Sequence, residues 1–266
     1  MAYYRTTRRR RGLPLKLIIA AGIILFSLIK YWSNSDTNQW TGRKQHITLE
    51  PKQEIALGLQ SVPQMTQQFG GLLPDQRLQN LVDKVGERLV NSSIARETPY
   101  QYDFHLLRDP NTINAFALPG GQVFITYGLL KRLTNEDQLA GVLGHEIGHV
   151  VGRHSAERIA KQNLTQGIVN GVLVGSDGGA SAAQTAAMIG NMINMKYGRD
   201  DELEADKLGV HFMIDSGYDP EQMLGVMEIL KKAAGGQRVP EFQSTHPSPE
   251  NRMKHIKEAI RDYQRK

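Results

Sequence analysis

The chain has 266 residues, 40% of them hydrophobic, which is enough for one sizeable core and excludes collagen-like, low-complexity and wholly disordered classes. Its net charge of +5 is confined to the start: Arg5, Arg8, Arg9, Arg10 and Arg11 stand alone there, and the remaining 27 Lys and Arg are matched by 27 Asp and Glu, so the rest lacks the basic face of a nucleic-acid binder. Cysteine is absent, which excludes disulfides, thiolate metal ligands, a cysteine nucleophile and a lipidated cysteine anchor.

Residues 1–12 form a basic arm, and residues 13–32 read LPLKLIIAAGIILFSLIKYW. With Lys16 and Lys30 snorkelling and Tyr31 and Trp32 at an interface, about 20 residues can cross roughly 30 Å of hydrocarbon. The segment is read as an uncleaved anchor because Lys30 to Asn34 lacks the small-x-small pattern of a signal-peptidase site. The arginines keep their side cytoplasmic, so everything beyond about residue 33 is expected across the membrane, in the bacterial periplasm or exterior. An arginine-rich start also suits a mitochondrial address, which leaves the mitochondrial inner membrane as the alternative. Residues 33–50 are polar and aperiodic and read as a tether.

One domain is expected over 51–266. Glu54, Leu57, Val62 and Met65 suggest a first helix containing Pro63, and 74–89 is a clearer one, with Leu78, Leu81, Val82, Val85 and Leu89 at three- and four-residue steps. Strands are expected at 102–107, 114–118 and 122–127, the last two joined by the turn Pro119-Gly120-Gly121 as a hairpin. Thr134, with Asp137 three residues on, marks the start of an apolar helix through Leu139, Val142, Leu143 and Ile147. The Gly-, Ala- and Ser-rich stretch 165–190 reads as irregular turns and packed helix near the site, too broken by glycine to span a bilayer. Further helices are expected over 188–216, 220–233 and 249–265. The organisation is α+β with helix predominating.

The chemistry lies in His145-Glu146-Ile147-Gly148-His149. Two histidines four apart share one helical face, where both imidazoles can reach one zinc ion at about 2.0–2.1 Å. Glu146 is turned about a third of the way round the helix, the position of a general base acting on the attacking water. A catalytic zinc needs a third protein ligand and an open position. Asp200-Asp201-Glu202-Leu203-Glu204-Ala205-Asp206 supplies the dense acidic cluster. Glu202 and Asp206 share a face there, so Glu202 suits a ligand and Asp206 a group orienting a ligand histidine. A solvated acidic face fits the same periodicity. His46, His105, His154, His211 and His255 are not paired at ligand spacing and read as structural or exposed.

HEIGH followed by Glu202-Leu203-Glu204-Ala205-Asp206 resembles the HExxH…ExxxD signature of the HtpX-like membrane metallopeptidases, which include the CAAX prenyl proteases, the bacterial peptidase BepA and mitochondrial Oma-type proteases. Asn114-Ala115-Phe116-Ala117-Leu118-Pro119-Gly120-Gly121 with Tyr127-Gly128-Leu129-Leu130, and Thr245-His246-Pro247 with Arg252, resemble two further elements of that family. The resemblance, closest to single-anchor members, implies a mainly helical zincin-type metallopeptidase domain with a small β-sheet, preceded by one transmembrane helix. It implies one Zn²⁺ per chain on His145, His149 and Glu202, with Glu146 activating water, and protein or peptide substrates such as misfolded or envelope proteins. It also implies that Gln122, Val123, Phe124 and Ile125 form the edge strand that pairs with substrate. His246 would be an inhibitory zinc ligand at the centre of a plug over 243–249. Arg252 would be an oxyanion or substrate contact, or an ordinary surface arginine. A zinc-holding chaperone or adaptor with a plugged site, and a membrane-anchored binding module without metal, are the alternative classes. Oligomeric state is not encoded in these motifs.

Overall fold

The computed structural model describes residues 14–175, 197–234, 242, 246 and 252–264. The basic arm and most of the expected 243–249 plug lie outside them. Helix α1, Leu15–Ser33, begins after Pro14 and buries only Ala20. It is the one helix among the described residues long and apolar enough to cross a membrane.

The segment expected to be an aperiodic tether is instead folded onto the domain. Strands β1 (Ser35–Thr37) and β2 (Lys44–His46) pair antiparallel. Asn38 Oδ1 ties the turn between them by accepting from the backbone N–H groups of Trp40 and Thr41. Composition did not reveal this hairpin because its ordering comes from polar side chains that find partners far along the chain.

Helix α2, Pro51–Gln68, starts at a reciprocal Glu50–Gln53 cap and continues through Pro63. Helix α3, Gln76–Asn91, is capped by Asp75 and buries Val82, Val85 and Leu89, the apolar side of its repeat. A short 3₁₀ turn, Ile94–Glu97, leads to the sheet.

The sheet has the order β3–β5–β4. Strand β3 (Asp103–Leu107) runs parallel to β5 (Gln122–Thr126), and β4 (Ala115–Ala117) runs antiparallel to it. Gly120 and Gly121 take φ of +84° and +109° in the tight turn, and Gly120 lies against the α2 backbone, where a Cβ would come 2.4 Å from the Cα of Ile55. Every residue of β5 is buried.

A one-turn helix α4, Tyr127–Leu130, is followed by the central helix α5, Glu136–Val151. Its cap is Asn135, whose Oδ1 accepts from Gln138 N at 2.8 Å, and not Thr134. Thr134 instead donates its N–H and hydroxyl to Gln138 Oε1, one residue further out than the capping position. From Gln138 to Val151 α5 is wholly buried, packed by α3, β4, α7 (Arg199–Asp215) and α8 (Gln222–Ala234). Helix α9, Arg252–Gln264, covers α7.

Gly152 ends α5, Arg153 takes φ +55°, and the chain restarts as α6, His154–Gly175. Part of 165–190 is therefore regular: residues 165–175 continue one helix, and the remainder lies outside the described residues. This part of α6 packs along α1 at Gly167 and Gly171. A Cβ on Gly171 would come 2.5 Å from Ile24 Cγ1, and one on Gly167 would strike Ser27.

Candidate metal centre

The site depends on how closely α7 approaches α5. A Cβ on Gly148 would sit 2.9 Å from the Ala205 carbonyl oxygen, and one on Gly209 would sit 3.0 Å from His145 N. With hydrogens there instead, the two backbones come close enough for Glu202 and Asp206, one turn apart on α7, to meet His145 and His149, one turn apart on α5. His246 reaches the same point from beyond α8, with its ring stacked on Phe242 at a centroid distance of 4.4 Å.

His145 Nε2 and His149 Nε2 are 3.1 Å apart. Glu202 places one oxygen 3.6 Å from His145 Nε2 and the other 3.5 Å from His149 Nε2. His246 Nδ1 lies 3.3 Å from His145 Nε2 and 3.1 Å from Glu202 Oε1. Four donors around a tetrahedral zinc at about 2.05 Å stand roughly 3.3 Å apart, so these separations fit such an ion, with His246 Nδ1 at the fourth corner. The four residues are buried together. Neither oxygen of buried Glu146, nor Nε2 of His246, has a hydrogen-bond partner among the described residues, and such orphaned polar atoms suit a site that takes an ion and water.

The surrounding charges suit that chemistry. Burial pushes the Glu146 carboxyl above its ordinary value, with His246 and His145 opposing, which makes the carboxylate a stronger base. Burial also acts to raise Glu202, but His246, His149 and His145 outweigh it and hold that carboxyl well below the usual range. Burial pulls His149 well below its ordinary value, leaving the neutral ring that a metal ligand requires.

Residues 76–260 match the sequence pattern of peptidase family M48. The chain belongs to that family. It is 32% identical over 229 residues to the beta-barrel assembly-enhancing protease of Escherichia coli (strain K12), covering 83% of this chain and 46% of that protein. To the mitochondrial metalloendopeptidase OMA1 of Schizosaccharomyces pombe it is 30% identical over 251 residues, 93% of this chain and 71% of that one. To the mitochondrial metalloendopeptidase OMA1 of Danio rerio it is 28% identical over 256 residues, 90% and 53% respectively. The chain thus spans about half the length of the Escherichia coli relative. The mainly helical α+β architecture is the M48 domain's.

Within this M48 domain, Asp206 Oδ1 stands 2.9 Å from His145 Nδ1, behind the ring face that points at the other donors. Arg252 is buried and donates to Asp206 Oδ2 from Nε at 2.7 Å and to Oδ1 from Nη2 at 2.5 Å, while its Nη1 lies 3.1 Å from Glu202 Oε2. Its guanidinium is thus committed to the two carboxylates of α7, which departs from both readings of Arg252, the oxyanion donor and the surface arginine.

The substrate-strand expectation is also corrected. Residues Gln122, Val123, Phe124 and Ile125 form the central strand, paired with β3 on one side and, from Val123 to Ile125, with β4 on the other. The buried backbone of β5 leaves no free ladder for a peptide. The edge on this side of the sheet is β4, whose Phe116 and Ala117, with the flanking Asn114, Leu118 and Pro119, line a pocket that also includes Met65, Phe69, Tyr197 and His246.

Besides Phe242, three residues in or behind the site escaped the sequence reading. Tyr197 stacks on His149 at 3.9 Å between centroids. His154 Nδ1 lies 2.8 Å from His149 Nδ1. Arg43, from the supposed tether, reaches the carboxylates behind His154. The signal for His154 was its place five residues after His149. On a continuous helix that spacing points away; the break at Gly152 and Arg153 brings the ring back. His105 instead stacks on Phe124, His211 on Tyr263 and His46 on Tyr31.

Proposed function

We propose that this M48 domain is a zinc-dependent endopeptidase in which His145, His149 and Glu202 hold one Zn²⁺ and Glu146 is the general base. The observation that carries this reading is the cluster of four buried donors within 4.8 Å of one another, with a Glu146 carboxylate beside it that has no hydrogen-bond partner among the described residues. A zinc ion held there supplies Lewis-acid polarisation of the scissile carbonyl and makes a neighbouring water easier to deprotonate.

The protein groups perform the remaining work. Glu146 accepts the proton of the attacking water and returns it to the leaving amine, a task suited to a carboxylate whose basicity burial has raised. Arg252 and Asp206 keep His145 and Glu202 in register through the charge changes of each cycle. An extended peptide pairs with the edge of β4 that no described strand covers, through main-chain hydrogen bonds, and fills the neighbouring pocket with a side chain. In this reading His246 takes the position that carbonyl and water need, a self-closed resting state supported by its approach to His145 and Glu202.

The apolar α1 supports a single-pass anchor, with the domain beyond it on the extracytoplasmic face of a bacterial inner membrane. The mitochondrial inner membrane is the corresponding alternative, favoured by the similarity to mitochondrial metalloendopeptidases. Protein substrates of the envelope follow by analogy with the beta-barrel assembly-enhancing protease.

The filled fourth corner favours one second reading, a zinc-holding chaperone or adaptor whose site never opens. Glu146→Gln separates the two. The variant is expected to retain one zinc per chain and lose at least ~100-fold in casein cleavage; wild-type turnover by the variant would remove the mechanism, and absence of cleavage by the wild type with His246→Ala also silent would favour the chaperone. His246→Ala is expected to raise basal cleavage.

A further inference from the structure

The two ligand histidines are backed differently. His145 Nδ1 meets Asp206 directly, and Arg252 holds that carboxylate; all three side chains are buried. Among the described residues no carboxylate stands behind His149. The atom 2.8 Å from its Nδ1 is another imidazole nitrogen, His154 Nδ1. His154 Nε2 lies 2.9 Å from Glu204 Oε2, and Arg43 Nη1 lies 3.0 Å from the same oxygen.

Proton positions give this chain a direction. A ring that offers Nε2 to a metal carries its hydrogen on Nδ1, so His149 donates to His154 Nδ1. His154 must then carry its own hydrogen on Nε2, which donates to Glu204, and Glu204 accepts a second bond from Arg43. Every donor in the series meets an acceptor. The 3.4 Å approach of Arg43 Nη1 to His154 Nε2 sets two donors side by side and is not a hydrogen bond in this arrangement.

Arg43 does more than hold Glu204. Its Nη2 stands 2.6 Å from Asp201 Oδ1 and 3.2 Å from Glu157 Oε2, so one guanidinium joins carboxylates from α6 and α7. Lys161 also lies near Glu157, at 3.1 Å, but on its other oxygen. The hairpin that presents Arg43 is fixed to the end of α5: Asn38 Nδ2 donates to the Val151 carbonyl at 2.8 Å and Gln45 Nε2 to the Gly152 carbonyl at 2.5 Å. Helix termination leaves such carbonyls without backbone partners, and His149 lies in that last turn.

We propose that the hairpin following α1 is an integral support of the metal site, with Arg43, Glu204 and His154 acting as positioning residues that fix the tautomer and ring orientation of His149. This rests on the assignment of His149 as a zinc ligand. The segment beside the membrane anchor therefore tunes zinc retention, through a relay that parallels the Asp206–Arg252 support of His145 but is one imidazole longer.

The test uses the full chain in detergent, with zinc affinity measured by chelator competition and the visible spectrum of the cobalt-substituted protein recorded alongside the melting temperature of the metal-free form. Glu204→Gln and Arg43→Ala are each expected to weaken zinc binding about 10- to 100-fold and to alter the cobalt bands. Their double variant should lose less than the product of the two, because both act through one ring. Arg43→Lys, which keeps the charge and loses the fork, is expected to fall between Arg43→Ala and wild type and guards against misfolding of the alanine variant. Unchanged affinity and spectrum in Glu204→Gln and Arg43→Lys, with only the metal-free melting temperature lowered, would overturn the relay. Strictly multiplicative losses in the double variant would do the same. A wild-type chain that binds no zinc would refute the metal assignment itself, a different failure.

Discussion

Two helix pairs in this molecule are drawn together by the same device and end in opposite situations. Helices α5 and α7 run antiparallel, with Gly144 facing Gly209 and Gly148 facing Ala205. Helices α1 and α6 also run antiparallel, with Gly167 facing Ser27 and Gly171 facing Ile24 and the Ala20 carbonyl. In the first pair α5 is buried from Gln138 to Val151. In the second, α1 exposes Leu15, Ile18, Phe26 and Ile29. The absence of a Cβ at these glycines lets the backbones come close in both, but among the described residues only the first contact is sealed by the rest of the domain. Its apolar burial from water stabilises it, at about 25 cal/mol per Å². The outer face of α1 gains nothing comparable without a further apolar partner, which the anchor reading supplies as lipid.

The comparison can be broken most severely at Gly148. Gly148→Val drives a branched side chain into the Ala205 carbonyl, and a loss of about 3 kcal/mol or more is expected in denaturant titrations, accompanied by loss of zinc. Unaltered stability would mean that the α5–α7 approach is not limiting. A smaller effect is expected from Asp206→Asn, which keeps the shape but gives up the charge behind His145. Chelator competition should show zinc held 10- to 100-fold more weakly, roughly 1.4 to 2.8 kcal/mol.

Gly167→Leu probes the second pair. It should push α1 away from α6 and change protease sensitivity of the 15–33 helix in detergent, while the zinc content and the melting of the core stay within ~1 kcal/mol of wild type. Loss of zinc in that variant would show that the outer pair carries the inner one.

The smallest effect belongs to the surface pair Lys84–Glu136, which joins α3 to the start of α5 at 3.0 Å. Its hydrogen bond from Lys84 is the main cause of a lowered Glu136 carboxyl. A carboxyl depressed by folding adds stability above its unfolded value, and that stability is lost as pH falls through the folded value. Lys84→Ala should therefore cost under ~1 kcal/mol at pH 7, and the difference from wild type should disappear on acidification below the depressed value. An unchanged difference in acid would indicate that the contact is not electrostatic.

Much of the molecule was legible because it is local. The α3 repeat, the Pro119-Gly120-Gly121 hairpin and the one-face pairing of His145 with His149 follow from periods of 3.6 and 2 residues and from glycine's access to positive φ. The errors lie where partners are distant. The choice of Gln122 to Ile125 as the open edge failed because β3 pairs directly with β5 although β4 lies between them in the chain, a parallel alignment that alternation within β5 cannot announce. The tether expectation failed because Asn38, Arg43 and Gln45 find their partners more than 100 residues away. His154 was set aside because its spacing is wrong for a continuous helix and right only after the break at Arg153.

By itself the sequence determined the type of most elements beyond residue 51, the pair of histidines on one helical face with a carboxylate beside them, and an apolar segment of membrane-spanning length. Only the tertiary structure showed how Glu202, Asp206, His246 and Arg252 pack around those histidines, and that Tyr197, His154 and Arg43 stand behind them. That choice depends on two helix backbones approaching across glycine, and on a hairpin closing the end of one of them. Helical repeats specify a face, but contact between faces is set by packing among residues far apart in the chain.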